Sequence, residues 1–149
     1  MKVILFILIY LSLLNANINS GDTLPPLALV DQFNNKVKVQ SNATLIISFQ
    51  KSVSSEIQTY LASKPKKILK KNNILYISDI STAPTFMIKL FGIPKMKKFG
   101  YKVALIYDEK IADNLKREVD KVTVIKLHNH KVSSIQYVSA KELNNVLAH

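Results

Sequence analysis

The sequence contains no cysteine in 149 residues. That excludes disulfides, thiol nucleophiles, Cys-ligated zinc and iron–sulfur clusters. Glycine occurs only at Gly21, Gly92 and Gly100. Neither the dinucleotide-binding G-x-G-x-x-G turn nor the phosphate-binding P-loop can be written from these positions, so nucleotide binding by those routes is excluded. Of the 21 lysines and arginines, Arg117 is the one arginine. Arginine is the preferred bidentate reader of phosphate and guanine, so its scarcity argues against nucleic acid as a partner. Proline is absent after Pro94. No cofactor motif survives these exclusions, and no cofactor is expected.

What the chain does have is lysine. Its formal net charge is +11 and its isoelectric point is about 9.8. It also has an address. Lys2 precedes residues 3–14, a run that is apolar except for Tyr10 and Ser12, and residues 15–20 are small or polar. This is the three-region layout of a secretory signal peptide. The run is too short for a transmembrane helix, which needs about 20 apolar residues. Cleavage is expected after Ser20, with Ala16 as the alternative site. No cysteine follows, so lipid anchoring is excluded. The expected organisation is a signal peptide over residues 1–20 and one domain over residues 21–149, exported to the periplasm or secreted. Retention of the signal as an anchor is the competing expectation.

Past residue 20 the patterning alternates between strands and helices. Residues 27–30 and 36–39 read as a small hairpin with Asn34 and Asn35 at its tip. Residues 44–49, 74–77 and 103–107 are short, nearly continuous apolar runs, the signature of strands buried on both faces. Residues 52–62 have apolar positions at helical spacing through Val53, Ile57, Tyr60 and Leu61. A second, Pro94-interrupted helix is expected within residues 86–99, with Phe86, Leu90, Phe91 and Met96 towards the core. Short helices are expected over 111–119 and 141–147. Residues 122–127 and 132–138 flank His128, Asn129, His130 and Lys131 as a terminal hairpin. The expected fold is α/β, with a mixed sheet and helices on both faces.

That order resembles the thioredoxin-like fold and, more narrowly, the redoxin and peroxiredoxin-like exported proteins of the YtfJ type. The resemblance is carried by the entry hairpin, by residues 43–49, by residues 103–108 ending in Asp108, and by the final hairpin over residues 123–132. It implies redox cysteines a few residues after the first core strand. Here that place reads Gln50, Lys51, Ser52, Val53, Ser54, Ser55. Ser52 and Ser55 keep the C-x-x-C spacing with hydroxyls. The resemblance also implies a cis-proline just before the terminal hairpin; no proline stands there, and Lys121 lies near its place. Without a cysteine thiol, thiol oxidoreductase and thiol peroxidase chemistry are excluded.

The remaining candidates are electrostatic. Ser52, Ser54 and Ser55 are expected to cap the helix start, with Glu56 adding charge in the first turn. His128 and His130, one residue apart, are weak candidates for a metal, and His149 is terminal. Asp79 and Asp108 are expected to end neighbouring strands, with Glu109 and Asp113 near them. Two lysine clusters stand out: Lys64, Lys66, Lys67, Lys70 and Lys71, then Lys95, Lys97, Lys98 and Lys102. They suit an anionic envelope component or an envelope protein as partner. Phe86, Phe91, Phe99 and Tyr101 interleave with the second cluster but are expected in the core. The leading expectation is an exported, non-catalytic binding or adaptor protein. The alternative is an enzyme of non-thiol chemistry, hydrolytic or metal-dependent, using Asp79, Asp108 or His128.

Overall fold

A computed structural model describes residues 17–147. Residues 1–16 of the leader expected over residues 1–20, and His149, lie outside the described residues. Seven strands form one mixed sheet: β1 (Leu29–Asp31), β2 (Lys36–Val37), β3 (Thr44–Ser48), β4 (Ile74–Asp79), β5 (Ala104–Ile106), β6 (Val122–His128) and β7 (Lys131–Val138). Their order is β2-β1-β5-β4-β3-β6-β7. The central β5-β4-β3 strands are parallel, while β1 and β6 flank them antiparallel. The expected α/β mixed sheet with an entry hairpin is therefore present.

Continuous apolar runs become central strands because both faces are covered. Ile46, Tyr76, Leu105 and Val124 point to one face, beneath Val53, Ile57 and Leu61 of α1 (Lys51–Ala62). Leu69 of α2 (Ile68–Lys71) joins that cluster. So do Leu143, Val146 and Leu147 of α6 (Leu143–Leu147), which follows a short turn of helix over Ala140–Glu142. Leu45, Ile47, Ile77, Ala104, Ile106 and Ile125 point to the other face, against Leu24, Leu29, Ala112 and Leu115. This is the period-two alternation of a strand. Each fully buried branched side chain contributes about 1.5–3 kcal/mol relative to exposure.

Ile18 is buried in the second cluster. Its N–H donates to the Asn114 carbonyl at 3.2 Å, and residues 21–24 run antiparallel to the start of β7 through Gly21 N–H to Val132 O at 2.7 Å. Processing after Ala16 keeps Ile18 in this core, whereas processing after Ser20 removes it.

Two expected helices differ from the pattern read in the sequence. The one expected over 111–119 is α5 (Glu109–Asp113) and stops at Asn114. Beyond it, Leu115 turns into the core, the Lys116 carbonyl accepts from Thr123 Oγ1 at 3.0 Å, and Val119 is exposed. The segment between β4 and β5 runs as α3 (Thr85–Met87), a π-helical turn (Ile88–Gly92) and α4 (Ile93–Met96). Pro94 lacks an N–H and its ring clashes with the carbonyl four residues back, so a wide turn precedes it. The π turn places Ile88 and Ile93, five residues apart, together against the core. That phase shift throws Phe86, Leu90 and Phe91 outward, and they are exposed rather than buried. Met96 is buried as expected, and Phe99 and Tyr101 are half-buried.

Candidate functional site

The start of α1 is where the resemblance implies redox cysteines. The helix begins at Lys51, and its cap is Gln50, in extended conformation and without a side-chain capping bond. Ser52 and Ser55 are exposed on the first turns. None of the three serines caps the helix, because each already lies inside it; Glu56 also falls beyond the first turn, which holds no acidic residue. Gln50 turns away instead. Its Oε1 accepts the Asp120 N–H at 2.6 Å, tying the helix start to the residue before Lys121.

Beneath this turn lies a hydroxyl network that the sequence did not single out. Ser48 and Ser54 share a hydrogen bond of 2.7 Å, Ser48 and Tyr76 one of 3.3 Å, and Ser54 and Ser78 one of 3.4 Å. The parallel register that sets Ser48 beside Ser78 brings the group together. Among the described residues no histidine, lysine or carboxylate bonds to these hydroxyls. They satisfy one another in a partly buried place, and among the described residues none bonds to them as a base would.

The carboxylates near the strand ends are occupied structurally. Asp79, the last residue of β4, accepts from Ser81 N–H at 2.9 Å and Ser81 Oγ at 2.6 Å, and lies 3.7 Å from Arg117. Asp108 caps α5 by accepting the Lys110 N–H at 2.9 Å. Glu109 opens α5, and Asp113 pairs with Arg117 at 3.1 Å. His128 lies at the other end of the sheet, because β6 runs antiparallel to β3. The fold thus does not assemble Asp79, Asp108 and His128. His128 and His130 are exposed on either side of Asn129, and Asn129 and His130 have φ of 51° and 61°, the two-residue turn of a tight hairpin. Among the described residues no three His, Asp or Glu side chains converge as a metal site.

The lysines do converge, in part. A groove of about 530 Å³ opens at the end of the sheet where β3 and β4 begin. Lys66, Lys67 and Lys70 of the first cluster line it, together with Lys102 of the second. Lys64, Lys71, Lys95, Lys97 and Lys98 lie outside it; Lys64 instead sits over the Tyr60 ring and donates to Asn144 Oδ1. Lys36 and Lys38 complete the wall. Their signal was the Lys-Val alternation of residues 36–39, which puts both lysines on one side of an extended segment.

Among the described residues no carboxylate lines the groove. Lys102 has one acidic neighbour, the buried Asp31 at 3.8 Å; the other five form no salt bridge among the described residues. Gly100 joins the two clusters. A Cβ there would stand 2.8 Å from Lys66 Cδ and 2.9 Å from Cγ, so the Lys66 stem lies across the bare glycine. Tyr101, also lining the groove, stacks on Phe99 at 5.2 Å. Burial and then repulsion from Tyr76 push its hydroxyl pKa well above the ordinary range, so it stays neutral. Gln32 fixes this wall: its buried amide donates to the Tyr101 carbonyl at 2.9 Å and accepts the Val103 N–H at 2.9 Å. Crowded cations in a cleft focus field lines outward, which draws and holds anions.

No family model matches the sequence, and no curated protein does. Solved structures do match in shape. Reduced Prx3 from Vibrio vulnificus superposes with a TM-score of 0.56 at 18% identity, covering 89% of this chain and 99% of that one. The thio-disulfide isomerase from Thermus thermophilus gives 0.54 at 15% identity, with 88% and 96% covered. The peroxiredoxin-like protein from Aquifex aeolicus gives 0.55 at 13% identity, with 91% and 89% covered. The chain therefore has a thioredoxin-like fold, distantly similar in structure to thiol-disulfide isomerases and peroxiredoxins. It carries that fold without a cysteine.

Proposed function

We propose that the chain is an exported, non-catalytic binding protein of the cell envelope, a thiol-free member of the redoxin and peroxiredoxin-like exported type. Its groove takes a ligand bearing several phosphate or carboxylate groups. The observation that carries this reading is the groove itself: among the described residues six lysines line it and no carboxylate does. The leader sequence supports export. Lysine suits such a site because its ammonium is a point charge that accepts many anion geometries, unlike the planar arginine fork.

Titration calorimetry of the chain from residue 17 onward, with tripolyphosphate and with citrate as probes, tests it. Binding is expected at low salt and should weaken as salt shortens the Debye length. A Lys66→Gln, Lys67→Gln, Lys70→Gln variant should lose roughly tenfold in affinity or more. Gly100→Ala should weaken binding to a smaller extent by displacing Lys66. A Lys95→Gln, Lys97→Gln, Lys98→Gln variant, with equal charge removed outside the groove, should bind nearly as well as the parent. Equal losses in both triple variants would reduce the effect to net charge and overturn the reading. Insulin reduction and peroxide turnover should both be absent.

A further inference from the structure

The helical segment between β4 and β5 carries apolar side chains that the described residues leave exposed. Phe86, Leu90 and Phe91 are 62%, 64% and 63% exposed, and Met87 is 42% exposed. No residue of α3 or of the π turn is buried. Single exposed apolar residues are ordinary, but four large ones within six positions mark an interaction surface. The π turn creates this face. It spends Ile88 and Ile93 on the core and leaves Phe86, Leu90 and Phe91 exposed.

The charge around the face identifies what covers it. Between Asp79 and Asp108 the sequence contains no acidic residue, while Lys89, Lys95, Lys97, Lys98 and Lys102 all fall there. Lys89 sits within the apolar segment, and exposed Lys95, Lys97 and Lys98 follow it within two turns. A second copy of this chain would bring the same cationic rim against itself, on a molecule whose net charge is already +11. An anionic surface meets no such repulsion. Phenylalanine and leucine on one side and lysine along the border are what a helix lying in a lipid interface presents.

We propose that this face docks the protein on an anionic lipid bilayer. Phe86, Leu90 and Phe91 enter the boundary between headgroups and acyl chains, and Lys89, Lys95, Lys97 and Lys98 contact the headgroup phosphates. The surface is independent of the groove, which opens where β3 and β4 begin, whereas α3 starts after β4 ends. The protein so held would present its lysine groove to ligands near the membrane.

Vesicle co-sedimentation tests the surface, using the chain from residue 17 onward so that residues 3–14 cannot insert. Binding is expected to vesicles containing phosphatidylglycerol and not to vesicles of phosphatidylcholine alone. A Phe86→Ser, Leu90→Ser, Phe91→Ser variant should lose at least about tenfold in bound fraction with its melting temperature kept, because none of the three is buried. The Lys66→Gln, Lys67→Gln, Lys70→Gln groove variant should still bind vesicles, which separates this surface from the groove reading. The chain has no tryptophan, so Phe91→Trp gives a single reporter whose emission should shift blue on anionic vesicles only. Undiminished binding by the triple serine variant would overturn the proposal. So would a dimer that this variant dissolves, since the face would then belong to a second copy. Absence of vesicle binding by the parent chain would overturn it equally.

Discussion

Asp31→Ala is expected to cost about 3 kcal/mol in denaturant unfolding, because it strips an acceptor from donors that fold around it. Asp31 is 2% exposed at the end of β1. Its Oδ1 accepts the Phe33 and Asn35 N–H groups, each at 2.9 Å, and its Oδ2 accepts the Asn35 amide at 3.3 Å. Those bonds close the β1–β2 turn, where Asn34 sits at φ 64°. Alanine leaves the donors unpaired inside the turn and frees Lys102 from its one acidic neighbour. The damage should therefore reach the groove, whose wall includes Lys36 and Lys38 on the same hairpin. Asp31→Asn keeps shape and one acceptor oxygen and should cost less. A pH series adds a second check. Burial raises the Asp31 pKa, but the Asn35 and Phe33 N–H groups, the Asn35 amide and the Lys102 charge together hold it below its ordinary 3.8. A carboxyl depressed in the folded state stabilises fully above its unfolded pKa, and that stabilisation is lost as pH falls through the folded value. The parent chain should thus lose stability below about pH 4, and Asp31→Asn should flatten that loss. An acid limb unchanged in Asp31→Asn would show that other carboxylates govern it.

The parts of this molecule that sequence makes legible are those set by short-range pattern. Residues 45–47 and 74–77 are apolar without a break, and they belong to β3 and β4, interior strands with apolar side chains packed on both faces. The terminal hairpin is legible because the four residues from His128 to Lys131 are too few for a crossover, and in the structure His128 and Lys131 pair as well, leaving Asn129 and His130 as the turn. The groove is half legible. Lys66, Lys67 and Lys70 form a visible cluster, but their meeting with Lys36, Lys38 and Lys102 is made by a hairpin folding onto β5, a long-range event. The π turn is hidden because Phe86, Leu90 and Ile93 have ordinary helical spacing, and only the register set by Pro94 and by the packing of Ile88 keeps Ile93 on the core while turning Phe86, Leu90 and Phe91 to the surface. Ser54 is hidden for a related reason. Its partners Ser48 and Ser78 come from two different strands, so no local spacing contains them.

The single arginine shows the same contrast between local and distant cause. Arg117 follows a helix that ends at Asp113, six residues before the Val119 end that local pattern predicts. From there its guanidinium reaches Asp79 at 3.7 Å and Asp113 at 3.1 Å and lies 5.0 Å over the Phe49 ring. Lysine could not do this on a chain otherwise rich in it, because the contact needs a planar group that stacks while it donates. Asp79 is the partner that matters, since its side chain is 2% exposed whereas that of Asp113 is 67% exposed. Arg117→Ala should cost about 2 kcal/mol, below the usual figure for a broken buried pair because the arginine itself is half exposed. Arg117→Lys should recover less than half of that. A double-mutant cycle apportions the loss: Arg117 with Asp79→Asn should show a coupling of at least about 1 kcal/mol, and Arg117 with Asp113→Asn a few tenths. Equal coupling to both carboxylates would mean that surface charge, not the buried Asp79, holds this loop against the ends of the parallel strands.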